Sequence, residues 1–215
     1  VRYRATSAPA SCQHLVQMKV MLAQLAAVIP RADPQQSPPA RCPARVRQLA
    51  AMRDAGIRAY EFSYPIREGW AFPGRYDFGG VDARLEHVTR ITPDARILLR
   101  VDLHAPAFWF LQRPQDTVDY AMGSPSGPVG GGDLDTGIRP RRVSLASTPW
   151  RKATAKALKA LARHVLKSRW AENVAGLMTA CCTYGEWHYW GFFHLPDTGQ
   201  AMTRHFRAHV KRVYR

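Results

Sequence analysis

Acidic side chains are scarce in this chain. Sixteen Asp and Glu stand against 31 Lys and Arg in 215 residues, a formal net charge of +15. So basic a balance raises nucleic acid as a partner. The distribution argues against it. Lysines are few (Lys19, Lys152, Lys156, Lys159, Lys167 and Lys211), and the arginines are spread along the whole chain. Short basic groups such as Arg139-Pro140-Arg141-Arg142 occur, but there is no long basic tail and no aromatic–basic RNA signature. Usage rich in Arg, Ala and Pro fits a coding bias. Nucleic-acid binding is the minor reading.

Cysteine is scarce as well. Cys12, Cys42, Cys181 and Cys182 form no C-x-x-C pair, and adjacent Cys181 and Cys182 make a poor zinc site. Free core thiols suit a reducing compartment such as the cytoplasm. His104, His188 and His194 lack ligand spacing, so no metal motif is present. Long apolar runs are missing too, and nothing is long enough to span a bilayer. Residues 20–29, VMLAQLAAVI, imitate a signal core only faintly: Gln24 interrupts them and Pro30-Arg31 follow where small residues belong. A buried strand explains them equally well. The chain starts at Val1, so a native start is expected to be missing.

What is present is an ordinary globular composition, 46% hydrophobic and 22% charged, at a length that supports one sizeable core. Residues 1–18 show no period and stay unassigned. Residues 20–29 read as a strand and 31–43 as a Pro-rich loop. A helix follows over 44–56 with Gly56 as its C-cap, then a strand over 57–63. Residues 81–91 are helical through Val81, Leu85 and Val88, with Pro93 just beyond. ARILLRVDL, 95–103, is the clearest strand. Residues 113–142 form a long glycine-rich segment, and such loops are often functional. Residues 148–168 predict a helix with Thr148 as N-cap and Pro149 at N1. A buried strand over 173–182 and a helix over 198–214 complete the chain.

Apolar strands alternating with helices imply a parallel sheet covered on its outside. No strand is followed by G-x-G-x-x-G, which excludes a dinucleotide-binding turn; GPVGGGD lies in mid-loop. One α/β arrangement of this kind is a (β/α)8 TIM barrel, of which residues 19–215 would supply about four βα units. In such a barrel the chemistry sits at the carboxyl ends of the strands. Trp70 lies in the loop after the strand at 57–63. Arg100, Asp102 and His104 alternate at the end of the next strand and share one face, opposite Val101 and Leu103. Trp109 follows. Arg100 and Asp102 read equally as an internal ion pair or as substrate ligands, His104 as a structural or a site histidine, and Trp70 and Trp109 as core or site rings.

The strand at 173–182 leads into CTYGEWHYWGFF. Here the lone acid Glu186 stands among Tyr184, Trp187, Tyr189, Trp190, Phe192 and Phe193, with His188 beside it. Rings that exclude water raise a carboxyl pKa and make it a proton donor near neutral pH. Flat apolar rings also suit sugar faces. Glu186 is thus either an acid catalyst or a structural glutamate at the lip of an aromatic core, and its place after a strand favours the first.

The segments GWAFPGRYDFGGVD (69–82), ILLRVDLHAPAFW (97–109), VSLASTPWRKA (143–153) and YGEWHYWG (184–191) resemble the N-terminal half of β-galactosidase-like glycoside hydrolases of family 42 and their retaining clan. The likeness covers roughly 44–214. It implies an acid/base glutamate after the fourth strand, here Glu186. It also implies sugar stacking by Trp70, Trp109, Tyr184, Trp187 and Trp190, and hydroxyl binding by Arg100, Asp102 and His104. The clan usually has Asn before that glutamate, and this chain has Gly185. The retaining mechanism needs a second carboxylate, supplied in the clan by the seventh strand, and no metal or organic cofactor. Eight units usually take about 250 residues, so half a barrel is expected here, inactive alone, with open edges that invite self-association. The implied partner is a carbohydrate, with no membrane. A non-catalytic carbohydrate-binding or degenerate barrel is the alternative.

Overall fold

The computed structural model describes residues 43–123, 142–182, 185–189 and 191–214. The expected strand at 20–29, the loop that follows it and most of the glycine-rich segment lie outside the described residues.

The order is α1 (Pro43–Asp54), β1 (Ala59–Pro65), α2 (Gly79–Ile91), β2 (Arg96–Asp102), α3 (Ala107–Gln112), α4 (Thr148–Lys167), β3 (Val174–Ala180) and α5 (Gln200–Val213). The strands form one parallel sheet in the order β1-β2-β3. The expected α/β alternation and parallel pairing are therefore present, as a three-stranded portion that fits part of a barrel. Among the described residues β1 and β3 each pair on one side only.

Local chemistry sets the element ends. Gly56 adopts φ +80°, and its N–H and that of Ile57 return to the carbonyls of Arg53 and Met52. This closes α1 with a Schellman turn, where an L side chain would be strained. At α4 the cap lies one residue earlier than expected. Ser147, not Thr148, accepts the Trp150 N–H on its Oγ at 3.1 Å, satisfying one of the free N–H groups of the first turn.

The core lies between the sheet and the helices. Ile97, Leu99 and Val101 of β2 are fully buried, as are Val81 and Leu85 of α2 and Ala157 and Leu161 of α4. Each large side chain buried this way contributes about 1.5–3 kcal/mol. The opposite sheet face carries Leu98, Arg100 and Asp102, all partly exposed. β3 departs from expectation: only Ala180 is buried, and Met178 is 36% exposed. Met178 pairs in register with Arg100 on that same face, which no described element covers.

His87 of α2 is buried, and neither ring nitrogen has a hydrogen-bond partner. Burial first, then Arg90 and Arg45, hold its pKa below 6.5. The unfolded chain therefore binds the proton more readily than the native one. Its contribution is fully present above about pH 6.5 and is lost as pH falls from there through the lower folded value. The melting temperature should drop on acidification from pH 7.5 to 5.5, and His87→Phe should flatten that slope. An unchanged slope would remove His87 as its source.

Candidate functional site

Alternation along β2 places Arg100 on the sheet face opposite the helix-covered core, between two carboxylates. Its Nη1 lies 3.4 Å from Glu61 Oε1 on β1, and its Nε 3.6 Å from Asp102 Oδ1. The side chains of Glu61, Arg100 and Asp102 are 14%, 21% and 16% exposed. Burial raises the Glu61 carboxyl pKa; Arg100 pulls it down and Asp102 pushes it up again. One guanidinium thus serves two acids at the carboxyl half of the sheet. Glu61 was not among the expected site residues. The signal was the alternation in AYEFSYP, where Tyr60 and Tyr64 go to the core and Glu61 and Ser63 to the other face.

Removing Arg100 strands both acids. Losing one member of a buried pair costs about 3–5 kcal/mol, and partial exposure reduces that here to about 2 kcal/mol. Arg100→Met should lower the denaturation midpoint accordingly, and adding Glu61→Gln should restore part of the loss. Two independent, additive losses would show that the residues do not act together.

Trp70 and Trp109 come together, but not at a surface. Trp70 stacks on Trp150 with centroids 5.7 Å apart and planes 15° apart, and Trp109 meets Trp150 edge-on at 5.2 Å. Phe108 and Tyr76 pack around Trp70. Trp70 is 2% and Trp109 7% exposed. Additional polypeptide can only bury them further, so neither presents a ring face to a sugar. Sequence position reveals a loop but not burial, which is why both were expected to stack on substrate. His104 is half-buried just past the end of β2.

β3 stops at Ala180, two residues before its expected end, because Cys182 turns the chain with φ 63°. Cys181 and Cys182 are both buried, as their core-thiol reading requires. Glu186 is thus six residues beyond the strand, and the backbone loops back. The Trp187 N–H donates to the Cys181 carbonyl at 3.0 Å, and the Gly185 N–H to that of Cys182 at 3.3 Å. Tyr189 anchors the far side. Its buried hydroxyl accepts the Leu145 N–H at 2.7 Å, and burial pushes the phenol pKa upward. Gly185 has φ +85°, and a Cβ there would meet the Ala180 Cβ at 3.0 Å. Both conditions favour glycine over the clan's Asn.

Glu186 itself is 63% exposed, so the described rings do not enclose it as expected. Its Oε2 lies 3.0 Å from His188 Nε2. No hydrogen bond or ion pair joins it to Arg100 or Asp102. Trp187 is 48% exposed, and Phe192 packs edge-on to His188 at 6.2 Å, itself 55% exposed. Accessible rings therefore do flank the acid. Tyr184 and Trp190 lie outside the described residues. Among the described residues no cluster of metal-ligating side chains occurs, and no helix is long and apolar enough to cross a membrane.

No protein-family profile and no curated protein matches this sequence. Solved structures do. A β-galactosidase from the psychrophilic Marinomonas ef1 superposes with a TM-score of 0.55 at 16% identity, over 81% of this chain and 24% of that one. A catalytic mutant of a GH42 β-galactosidase from G. stearothermophilus gives 0.52 at 19% identity, over 80% and 22%. The cold-adapted β-galactosidase of a Rahnella species gives 0.53 at 18%, over 80% and 22%. The chain thus spans about a quarter of the length of these enzymes, and what it shares with them is the fold.

Proposed function

We propose that this chain carries the acid/base half of a retaining, β-galactosidase-like glycoside hydrolase. One observation supports the reading most: the Trp187 N–H bond to Cys181 folds Glu186 back beside the carboxyl end of a parallel strand, next to an accessible indole. That end is where barrel enzymes hold their reacting groups.

In this reading Glu186 protonates the glycosidic oxygen, then removes a proton from the incoming water. His188 holds one carboxylate oxygen and leaves the other to face the substrate. Trp187, with Tyr184 and Trp190, supplies sugar-stacking rings, and Arg100, Asp102 and His104 bind hydroxyls. Trp70 and Trp109 serve as the packed wall behind the site. The nucleophile is a carboxylate about 5–5.5 Å from Glu186, from a strand outside these four units, and the chain alone is inactive. A half-barrel leaves sheet edges open, and such edges favour self-association of the isolated chain.

A second reading has its own support. Gly185 offers no side-chain amide to a sugar 2-hydroxyl, and Glu186 is open to water. Both suit a carbohydrate-binding barrel without turnover. Reading the source DNA past the Arg215 codon separates the two. A frame that continues through four more βα units, with a strand ending in Glu, supports the hydrolase. A stop codon there, together with sugar binding by the 215-residue chain, supports the binding protein.

A further inference from the structure

The cations that look dispersed in the sequence are gathered by the fold. Helix α4, TPWRKATAKALKALARHVLK, contains no acid and holds four of the chain's six lysines. A coding bias toward arginine does not explain a lysine cluster. Arg151, Lys152, Lys156, Lys159, Arg163 and Lys167 are all exposed, while Thr154, Ala157, Leu161 and Val165 face the core. From Lys152 to Lys167 the cations form a stripe along the outer side, about 22 Å long at 1.5 Å per residue, with Arg151 a quarter turn to one side.

Successive members, from Lys152 to Lys156, Lys159, Arg163 and Lys167, stand three or four residues apart. Like charges at that spacing repel, at roughly 0.2–0.5 kcal/mol per pair. Among the described residues none of these five enters an ion pair. Helix α5 is also free of acids, and it adjoins this face: Arg151 Nη2 donates to His205 Nε2 at 3.1 Å. Two acid-free helices thus meet where Arg151 and His205 touch.

The stripe begins at the candidate site. In a βα unit the helix starts at the carboxyl end of the strand before it. Leu145, six residues before Arg151, is held by the Tyr189 hydroxyl, three residues from Glu186. A bound polymer leaving the Glu186 region can run directly onto α4. The exposed stripe holds no aromatic ring on which nucleobases could stack, since Trp150 is buried.

We infer that the outer face of α4 binds a polyanionic glycan, so that the substrate of the proposed hydrolase is a chain of acidic sugars. This rests on the hydrolase reading for the word substrate; the binding itself does not require turnover. The test uses the 215-residue chain with polygalacturonate, a neutral galactan of equal length and a 20-base-pair DNA duplex as probes. Two triple variants carry the same charge change: Lys156→Gln/Lys159→Gln/Arg163→Gln on the stripe, and Arg47→Gln/Arg75→Gln/Arg90→Gln elsewhere on the exposed surface.

At low salt the stripe triple should weaken polygalacturonate binding about 150-fold, taking roughly 1 kcal/mol for each of the three charges near an anionic surface. The other triple should change it less than threefold. The neutral galactan should be indifferent to both. Equal losses in the two triples would reduce the effect to net charge and overturn the inference, as would tighter binding of the duplex than of polygalacturonate. If polygalacturonate binds through the stripe but Glu186 proves dispensable for hydrolysis, the hydrolase reading fails and the binding face stands.

Discussion

Trp150→Ala should be the most destabilising single change in the described core, at about 3–5 kcal/mol. Trp150 joins the other two buried indoles, stacking on Trp70 and meeting Trp109 edge-on. It is 3% exposed at the first turn of α4. Removing it opens a void among large rings, which relax only partly. Against a total of about 5–15 kcal/mol for a native domain, such a loss is severe. Trp150→Phe keeps one ring and should cost much less. Urea unfolding followed by helix circular dichroism gives the ranking. The near-ultraviolet signal of the stacked indoles should vanish in both variants. A Trp150→Ala protein with an unshifted midpoint would show that the cluster does not hold the fold.

The same cluster marks a limit of sequence reading. Trp70 and Trp109 follow strands and sit beside polar residues, so they resemble platforms for sugar. Only three-dimensional packing shows that they face each other and Trp150. By contrast, the Arg100–Asp102 alternation was legible because period two is dictated by the strand itself. Glu61 escaped because a lone acid in AYEFSYP is outweighed by its aromatic neighbours, and its partner Arg100 lies on another strand. The end of β3 escaped for a backbone reason. VAGLMTACC remains apolar through Cys182, whereas the strand stops where that residue takes a left-handed turn. The cap of α4 was misplaced by one residue because Ser147 and Thr148 are both good caps. The gathering of lysines on one face of α4 escaped because charge was weighed along the whole chain, and its freedom from ion pairs shows only in three dimensions.

The second large effect expected is on rate, and it falls on Glu186. An acid that protonates the leaving oxygen matters in proportion to how poor the leaving group is. An aryl galactoside with an activated leaving group departs without help; an alkyl galactoside or a disaccharide does not. Only the second carboxylate is then needed to form the glycosyl intermediate, and its hydrolysis loses the base in either case. General acid–base groups contribute about 10²–10⁴-fold, and the loss should fall mainly on the poor leaving groups.

The decisive measurement is therefore a comparison of kcat/KM for Glu186→Gln and the parent, in a version that includes the remaining strands, on galactosides of graded leaving-group acidity. If Glu186 is the acid, the loss is about 10²–10⁴-fold for alkyl leaving groups and shrinks toward none for the most activated aryl ones. A small loss, equal across the series, would contradict it and remove Glu186 from the acid/base role.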